Sequence, residues 1–431
     1  MKRMRAMAGL VFAALVAYAG SAHAAAYGIY EQGAAVAGMG GAGVATVHDA
    51  SALFYNPANL TTLDGLQLYV GGSLLQPHIS FAGQNPYPGY GVTEEMEKQS
   101  FFPPTFYVTK KVNDQWAMGG GIGSPFGLGV SWKNPDTFTG RYIVTKAELQ
   151  TLNGTYAVAF KANDAFSVGV GFDALLAKVE LNQRELVPGI GGGGQQVDVA
   201  KTQLKSDFTP DVGWNASIAW KPDPKLRVGV YYRSKIVVDV TGKGTFQQIP
   251  TGDTTLDKNV AKQLPPNQDV RTILRFPALM ALAAAYDLPN RILVEADITG
   301  AQWSVFEDLP LYFQTTPSAS TKIVENYNDA LGVRLGLQQM RDAFTWRIGW
   351  YYEDAAAPQE SMSPLLPDAI RNGYSIGFGK NFGPHQDWAL DVYELAVVAH
   401  GRGTGGVNRD GYDGQYKTYV NLLGLGLTKR W

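Results

Sequence analysis

From Gln67 to Trp431 the chain runs as short segments in which apolar and polar residues alternate. Between Gly213 and Trp220, the residues Trp214, Ala216, Ile218 and Trp220 share one parity, and Asn215 and Ser217 the other. Ser167 to Ala174 and Ala330 to Gln338 repeat the design. Successive side chains of a strand point to opposite faces, so each segment carries one oily and one polar surface. The pattern predicts fourteen strands, near 67–75, 103–110, 115–124, 151–161, 165–178, 212–221, 225–239, 273–286, 290–301, 329–339, 344–353, 372–381, 387–397 and 418–429. Their connections alternate. Val112-Asn113-Asp114, Ala162-Asn163-Asp164, Pro222-Asp223-Pro224 and Leu288-Pro289 are tight turns with the expected Asn, Asp and Pro chemistry, whereas 179–211 and 240–272 read as long loops. An even strand number, short turns on one side and long loops on the other describe an all-β transmembrane antiparallel barrel whose oily face meets lipid. Within 240–272, Thr254-Thr255-Leu256-Asp257 resembles a capping box, and Leu256, Val260 and Leu264 recur every four residues before Pro265. A short amphipathic helix is expected there, its oily side offered to a ligand or to a neighbouring loop.

The N-terminus explains how such a chain reaches a membrane. Lys2, Arg3 and Arg5 precede an apolar stretch from Ala6 to Gly20, and Ser21-Ala22-His23-Ala24 supplies a small-x-small cleavage pattern. Residues 1–24 read as a signal peptide, cut so that the mature chain begins at Ala25. The signal holds three of the 36 basic residues, leaving 33 against 38 acidic ones, about −5 for the mature chain. That balance is too mild for a nucleic-acid partner. Without cysteine there are no disulfides, thiolate nucleophiles or thiolate metal sites.

Residues 25–65 precede the first strand and lack its alternation. They are rich in small residues and end in Phe54-Tyr55-Asn56-Pro57-Ala58. A barrel of fourteen strands lies between eight, which side chains fill, and sixteen, which leave a channel. A plug inside the lumen, residues 25–65 within a barrel of 66–431, is therefore the economical reading, and a disordered periplasmic tail the alternative. Arg227, Arg233, Arg291, Arg334, Arg347, Asp173, Glu295, Asp297 and Glu353 fall opposite the apolar faces and are expected in the lumen. Gly38-Met39-Gly40-Gly41-Ala42-Gly43 matches a dinucleotide-binding pattern, but no strand–helix context flanks it, so close packing of the plug on the wall is the better reading. His48, His78, His385 and His400 are scattered, and none falls inside a predicted strand. No cofactor, metal or enzymatic activity is expected.

Asp49 to Leu60 (DASALFYNPANL) resembles the N-terminal hatch of the FadL/TodX family of outer-membrane transporters of hydrophobic compounds. Gly213-Trp214-Asn215-Ala216 with Tyr231-Tyr232-Arg233-Ser234, Gly171 to Ala174, and Asn328-Asp329-Ala330 with Gly349-Trp350 follow in the family's order and spacing. The resemblance implies a fourteen-stranded barrel with a hatch bearing Tyr27, Asn56, Pro57 and Ala58. It implies a monomer among outer-membrane lipid and lipopolysaccharide, and passive uptake of a hydrophobic ligand, foremost long-chain fatty acids. Aromatic hydrocarbons are the alternative; a diffusion porin lacks a hatch. The last residue, Trp431, is aromatic where many such barrels end in Phe, and is expected to engage the barrel-assembly machinery.

The family's third strand kinks inward and opens a gap in the wall. Here the third strand runs Trp-Ala-Met-Gly-Gly-Gly-Ile-Gly into Ser124-Pro125-Phe126-Gly127, where proline removes a ladder donor and glycine weakens pairing. A strand-ending turn and a lateral opening both fit. If it is an opening, a cation at Gly127 should obstruct it, whereas a methyl at Gly123 should be mild. A fatty-acid carboxylate needs a cation in an apolar pocket. Lys178 and Arg184 lie where the resemblance places one, and strand parity, which turns Lys178 toward lipid, favours Arg184. At a second family position Asn328 stands instead, with Lys322 nearby.

Overall fold

The computed structural model describes residues 26–187 and 197–431. The predicted signal, its cleavage point and the glycine run 191–194 lie outside the described residues. The wall consists of β1 Leu66–Gly83, β2 Pro104–Lys111, β3 Trp116–Gly123 continued by Gly127–Ser131, β4 Lys146–Asn163, β5 Phe166–Val187, β6 Thr209–Asp223, β7 Leu226–Arg233 continued by Ile236–Gln248, β8 Gln268–Phe276 continued by Leu279–Leu288, β9 Ile292–Ala301, β10 Ala330–Arg341, β11 Phe344–Glu353, β12 Arg371–Phe382, β13 Trp388–Ala399 and β14 Gly414–Arg430. Each pairs antiparallel with the next, and β1 pairs with β14 from Gln67↔Arg430 to Gly83↔Gly414. The ring therefore closes at fourteen strands and has no free sheet edge for lipid to meet.

All fourteen predicted strands are present, and several run further than the alternation showed. β5 continues to Val187 and pairs with a return strand, Val197–Ser206, which in turn pairs with β7. Much of the expected loop 179–211 is thus sheet. The segment 240–272 likewise holds the upper ends of β7 and β8 joined by α1, Thr254–Gln263. Asp253 caps this helix, its carboxylate accepting from the Thr255 and Leu256 amides. Leu256 and Val260 are buried against Val199 of the return strand, so the helix spends its oily face on a neighbour.

Parity divides the strands as expected. Trp214, Ile218 and Trp220 of β6 are exposed outward, while Asn215 and Ser217 are buried inward. Residues 27–63 sit inside the ring and are largely buried. The glycine run packs against wall backbone: a side chain at Gly349 would fall 2.0 Å from the Gly40 nitrogen. Gly40 and Gly41 themselves take positive φ, which glycine tolerates without strain.

Outside the membrane the chain 302–329 dips back into the ring. Trp303, Phe306 and Tyr327 are buried, and so is Glu325. Burial, reinforced by Asp410 and partly offset by Arg409, pushes the Glu325 carboxyl up to about 8. The packed loop favours the neutral acid, so Glu325 contributes stability that is complete below the ordinary carboxylate range. That contribution declines as pH rises and is gone above about 8. Hydrogen-exchange protection across 303–329, taken relative to the intrinsic base-catalysed rate at each pH, is expected to be greater at pH 5 than at pH 8.5, and Glu325→Gln should flatten the difference. Equal pH dependence in the variant would remove Glu325 as its cause.

Candidate functional site

The third strand is broken. Its lower half pairs with β2 from Lys111↔Ala117 up to Phe106↔Ile122, and there the pairing stops. Its upper half, Gly127–Ser131, pairs with β4 on one side and meets the 96–97 segment only at its top, at Ser131. The other edge is taken by the N-terminal segment. The Gly127 amide donates to the Tyr27 carbonyl at 2.9 Å and the Ile29 amide to the Pro125 carbonyl at 2.8 Å. Gln32 brackets the break, donating to the Ser124 carbonyl at 2.9 Å and accepting from the Ser124 amide at 3.0 Å. Ser124, Pro125, Phe126 and Gly127 are therefore a gap in β2–β3 pairing filled by residues 27–29. The strand does not end at the break; it resumes at Gly127.

Behind the break lies a cavity of about 600 Å³. Its lining is mainly apolar and includes Tyr27, Ile29, Phe101, Leu128, Leu149, Leu279, Trp303 and Leu366. Tyr27 sits in an aromatic box, its ring centroid 4.5 Å from Trp303, 5.8 Å from Phe306 and 6.3 Å from both Phe126 and Phe276. Apart from Glu148, which stands beside Gly129 on β4, the charged lining residues are Glu31, Arg334, Glu353, Asp368 and Arg371. Glu353 joins the two arginines, pairing with Arg334 and accepting from Arg371 Nε at 2.8 Å. Arg334 is committed, donating to the Gly40 carbonyl at 3.1 Å and lying 4.0 Å over the Tyr30 ring. Its side chain is 3% exposed against 22% for Arg371, so Arg371 is the cation that opens onto the cavity.

Below the cavity the inner segment is tied to the wall by carboxylates. Asp297 accepts from the amides of Gly43 and Val44 at 3.0 and 3.2 Å, and Glu295 from the amide of Ala45 at 2.7 Å and from the Thr46 hydroxyl. The Asn56-Pro57-Ala58 element is a second tie. Asn56 Nδ2 donates to the carbonyls of Val44 and Ile218, and the Ala58 amide donates to Ser217 Oγ at 2.9 Å. Gly169 leaves room for it, since a side chain there would come 2.6 Å from the Ala58 nitrogen.

The three cations chosen from sequence lie elsewhere, and none lines the cavity. Lys178 points outward, its Nζ 5.7 Å from the centre of the Phe208 ring. Arg184, of the same strand parity as Lys178, is buried by its pairing with Asp136 at 2.6 Å in the upper extension of β5. Lys322 is exposed, 3.4 Å from Asp308. Arg371 went unnoticed because it opens β12 directly after an irregular stretch, where no alternation assigns a face. Among the expected lumen charges Arg233, Arg334, Arg347, Asp173, Glu295, Asp297 and Glu353 are buried inside. Arg291 instead stands in the exposed turn before β9, and Arg227 lies near a turn, paired with Asp287. His78 falls within β1, which runs past its predicted end. Nor is Gly123 a mild site: a methyl there would lie 2.4 Å from Gln32 Oε1 and 2.8 Å from the Tyr107 hydroxyl.

Residues 15–431 match the family described as outer membrane protein transport protein (OMPP1/FadL/TodX). The chain belongs to that family. It is thus an outer-membrane transport barrel for hydrophobic compounds, and the family's proteins are channels rather than enzymes. Among relatives, a long-chain fatty acid transport protein of Escherichia coli O6:H1 is 25% identical over 366 residues, 81% of each chain. A 47 kDa outer membrane protein of Pasteurella multocida is 26% identical over 435 residues, 98% of each. Solved structures share the fold. A Pseudomonas aeruginosa FadL homologue superposes with a TM-score of 0.83 at 21% identity, covering 94% of this chain and all of that one. The Pseudomonas putida toluene transporter TodX gives 0.72 at 17%, again covering 94% of this chain and all of that one.

Proposed function

We propose that this member of the FadL/TodX family carries long-chain fatty acids across the outer membrane. The observation that carries this reading is an apolar cavity with one partly open arginine, Arg371, in its lining. An alkyl chain gains by leaving water for such a lining, and a carboxylate there needs a charged donor. Tyr27 and Asn56-Pro57-Ala58 belong to a hatch that closes the lumen below the ligand, and Ser124 to Gly127 form the exit through the wall. Ligand reaching the cavity displaces the 27–29 segment from the edge of β3 and leaves sideways into lipid. Lipopolysaccharide outside, and the assembly machinery at the exposed Trp431, complete the proposed surroundings of a monomer.

Aromatic hydrocarbons are the second reading, and the box of Phe126, Phe276, Trp303 and Phe306 around Tyr27 favours it, since it already holds a flat ring. Arg371→Met separates the two. A charge-assisted bond contributes about 1.5–3 kcal/mol, so oleate binding should weaken roughly tenfold or more, with partial recovery in Arg371→Lys. Toluene uptake should be unchanged in Arg371→Met. Oleate affinity that is indifferent to the charge at 371 would reject the carboxylate reading and favour the hydrocarbon.

A further inference from the structure

We infer that Phe101 is the side chain that sets the width of the wall opening, and so the size of ligand that can leave through it. The inference rests on the lateral exit proposed above and adds a residue that acts on selectivity there.

Phe101 continues β2 upward. Its amide donates to the Leu75 carbonyl at 3.0 Å and its carbonyl accepts from the Leu75 amide at 2.9 Å, in register with the Gly72↔Pro104 pair below. Its backbone is therefore fixed to β1 whatever β3 does. On β2 the odd positions Thr105, Tyr107 and Thr109 are the buried, inward ones, and Phe101 shares their parity. On the upper half of β3, Val130 is buried inward, so Gly129 faces outward. Yet the Phe101 ring lies on Gly129: a side chain there would fall 2.0 Å from Phe101 Cζ. An inward-pointing ring can cover an outward-facing residue of the adjacent strand only if that strand is set back toward the lumen.

The setback leaves a crevice between β2 and the upper half of β3, and two side chains fill it. Ile29 of the hatch lies against Gly127, its Cδ1 2.9 Å from where a side chain would start, and Phe101 lies against Gly129. Above them the crevice is closed by the Met96–Trp132 bridge and by the Glu97 amide bonded to the Ser131 carbonyl at 2.7 Å. Below, it is closed by the Phe106↔Ile122 pair. The cavity lining includes both Phe101 and Gly129, so cavity and crevice are continuous. Ile29 leaves when the hatch segment moves. Phe101 stays, because its strand does, and the space between its ring and Gly129 is what passing ligand must use. Glycine at 127 and 129 keeps the opposite bank bare.

The test uses the full-length protein in cells that lack other uptake of these compounds, with oleate as a slim probe and pyrene as a wide one. Phe101→Ala should raise initial oleate uptake several-fold and pyrene uptake by a larger factor, and Phe101→Trp should lower both, pyrene most. Single-channel conductance should not change, because the crevice leads to lipid and not to the periplasm. Phe101→Leu serves as a milder second variant should the alanine barrel lose heat-modifiability. Folded variants whose oleate-to-pyrene ratio equals that of the wild type overturn the assignment, as does a rise in conductance, which would make Phe101 a prop for the hatch. The underlying exit reading fails separately: it falls if Gly127→Arg cells import normally, whereas blocked Gly127→Arg cells with indifferent Phe101 variants sink the gate alone.

Discussion

Deleting residues 27–55 while keeping the signal is expected to give a barrel that still folds and inserts but conducts ions freely. The wall does not depend on these residues for closure. Its ring is completed by β1 on β14, and its lipid-facing side chains all belong to strands. What the deletion removes is the lumen's contents, including the partners of Asp297, Glu295 and Arg334. Water entering the lumen would hydrate those groups, so their loss of partners need not unfold the protein. Conductance and sensitivity to large hydrophilic antibiotics should therefore rise together, with heat-modifiability retained. A graded version is Glu295→Gln with Asp297→Asn. A hydrogen bond is worth about 0.5–1.5 kcal/mol, and replacing the carboxyl groups by amides, each with one acceptor oxygen in place of two, weakens the hold on Gly43 to Thr46 without emptying the lumen. Brief openings in place of a permanent one are expected. A deletion mutant as tight as the wild type would mean that residues 27–55 do not seal the pore.

The strand count was readable because a lipid-facing wall forces strict alternation, as at Trp214, Ile218 and Trp220 against Asn215 and Ser217. Past the membrane that pressure ends. Arg271 and Asp239 pair on the outer face of β8 and β7, where both faces of the sheet can be polar, and beyond Asp239 the two strands read as a loop. The break in β3 was visible through its glycines and Pro125, since those residues act on local pairing. What fills the break was not, because it depends on a segment about a hundred residues earlier in the chain. The cavity is less local still. Trp303 and Phe306 come from a stretch that reads as an outer loop, and Arg371 from the first residue of β12. Their meeting point follows from chain tracing inside the ring, and no periodicity records it.

Gly127→Arg is expected to cut hydrophobic uptake at least about tenfold while leaving the barrel intact. The space that a side chain at 127 would enter is held only by the tip of Ile29, a flexible end that can give way, so the substitution is accommodated. The long cationic side chain then lies in the crevice through which ligand is proposed to pass. An alkyl chain must displace or squeeze past the guanidinium there, and each 1.4 kcal/mol of added barrier is about tenfold in rate. Gly120→Ala is the proper control on the same strand, since its methyl would meet nothing closer than the Thr155 carbonyl at 3.4 Å. Uptake should fall in Gly127→Arg and hold in Gly120→Ala, with surface expression, heat-modifiability and conductance normal in both. Ligand binding by purified Gly127→Arg should persist, because Arg371 and most of the apolar lining lie away from the substitution. Cells carrying Gly127→Arg that import at the wild-type rate would send the ligand another way, down past Asn56, Pro57 and Ala58 into the periplasm.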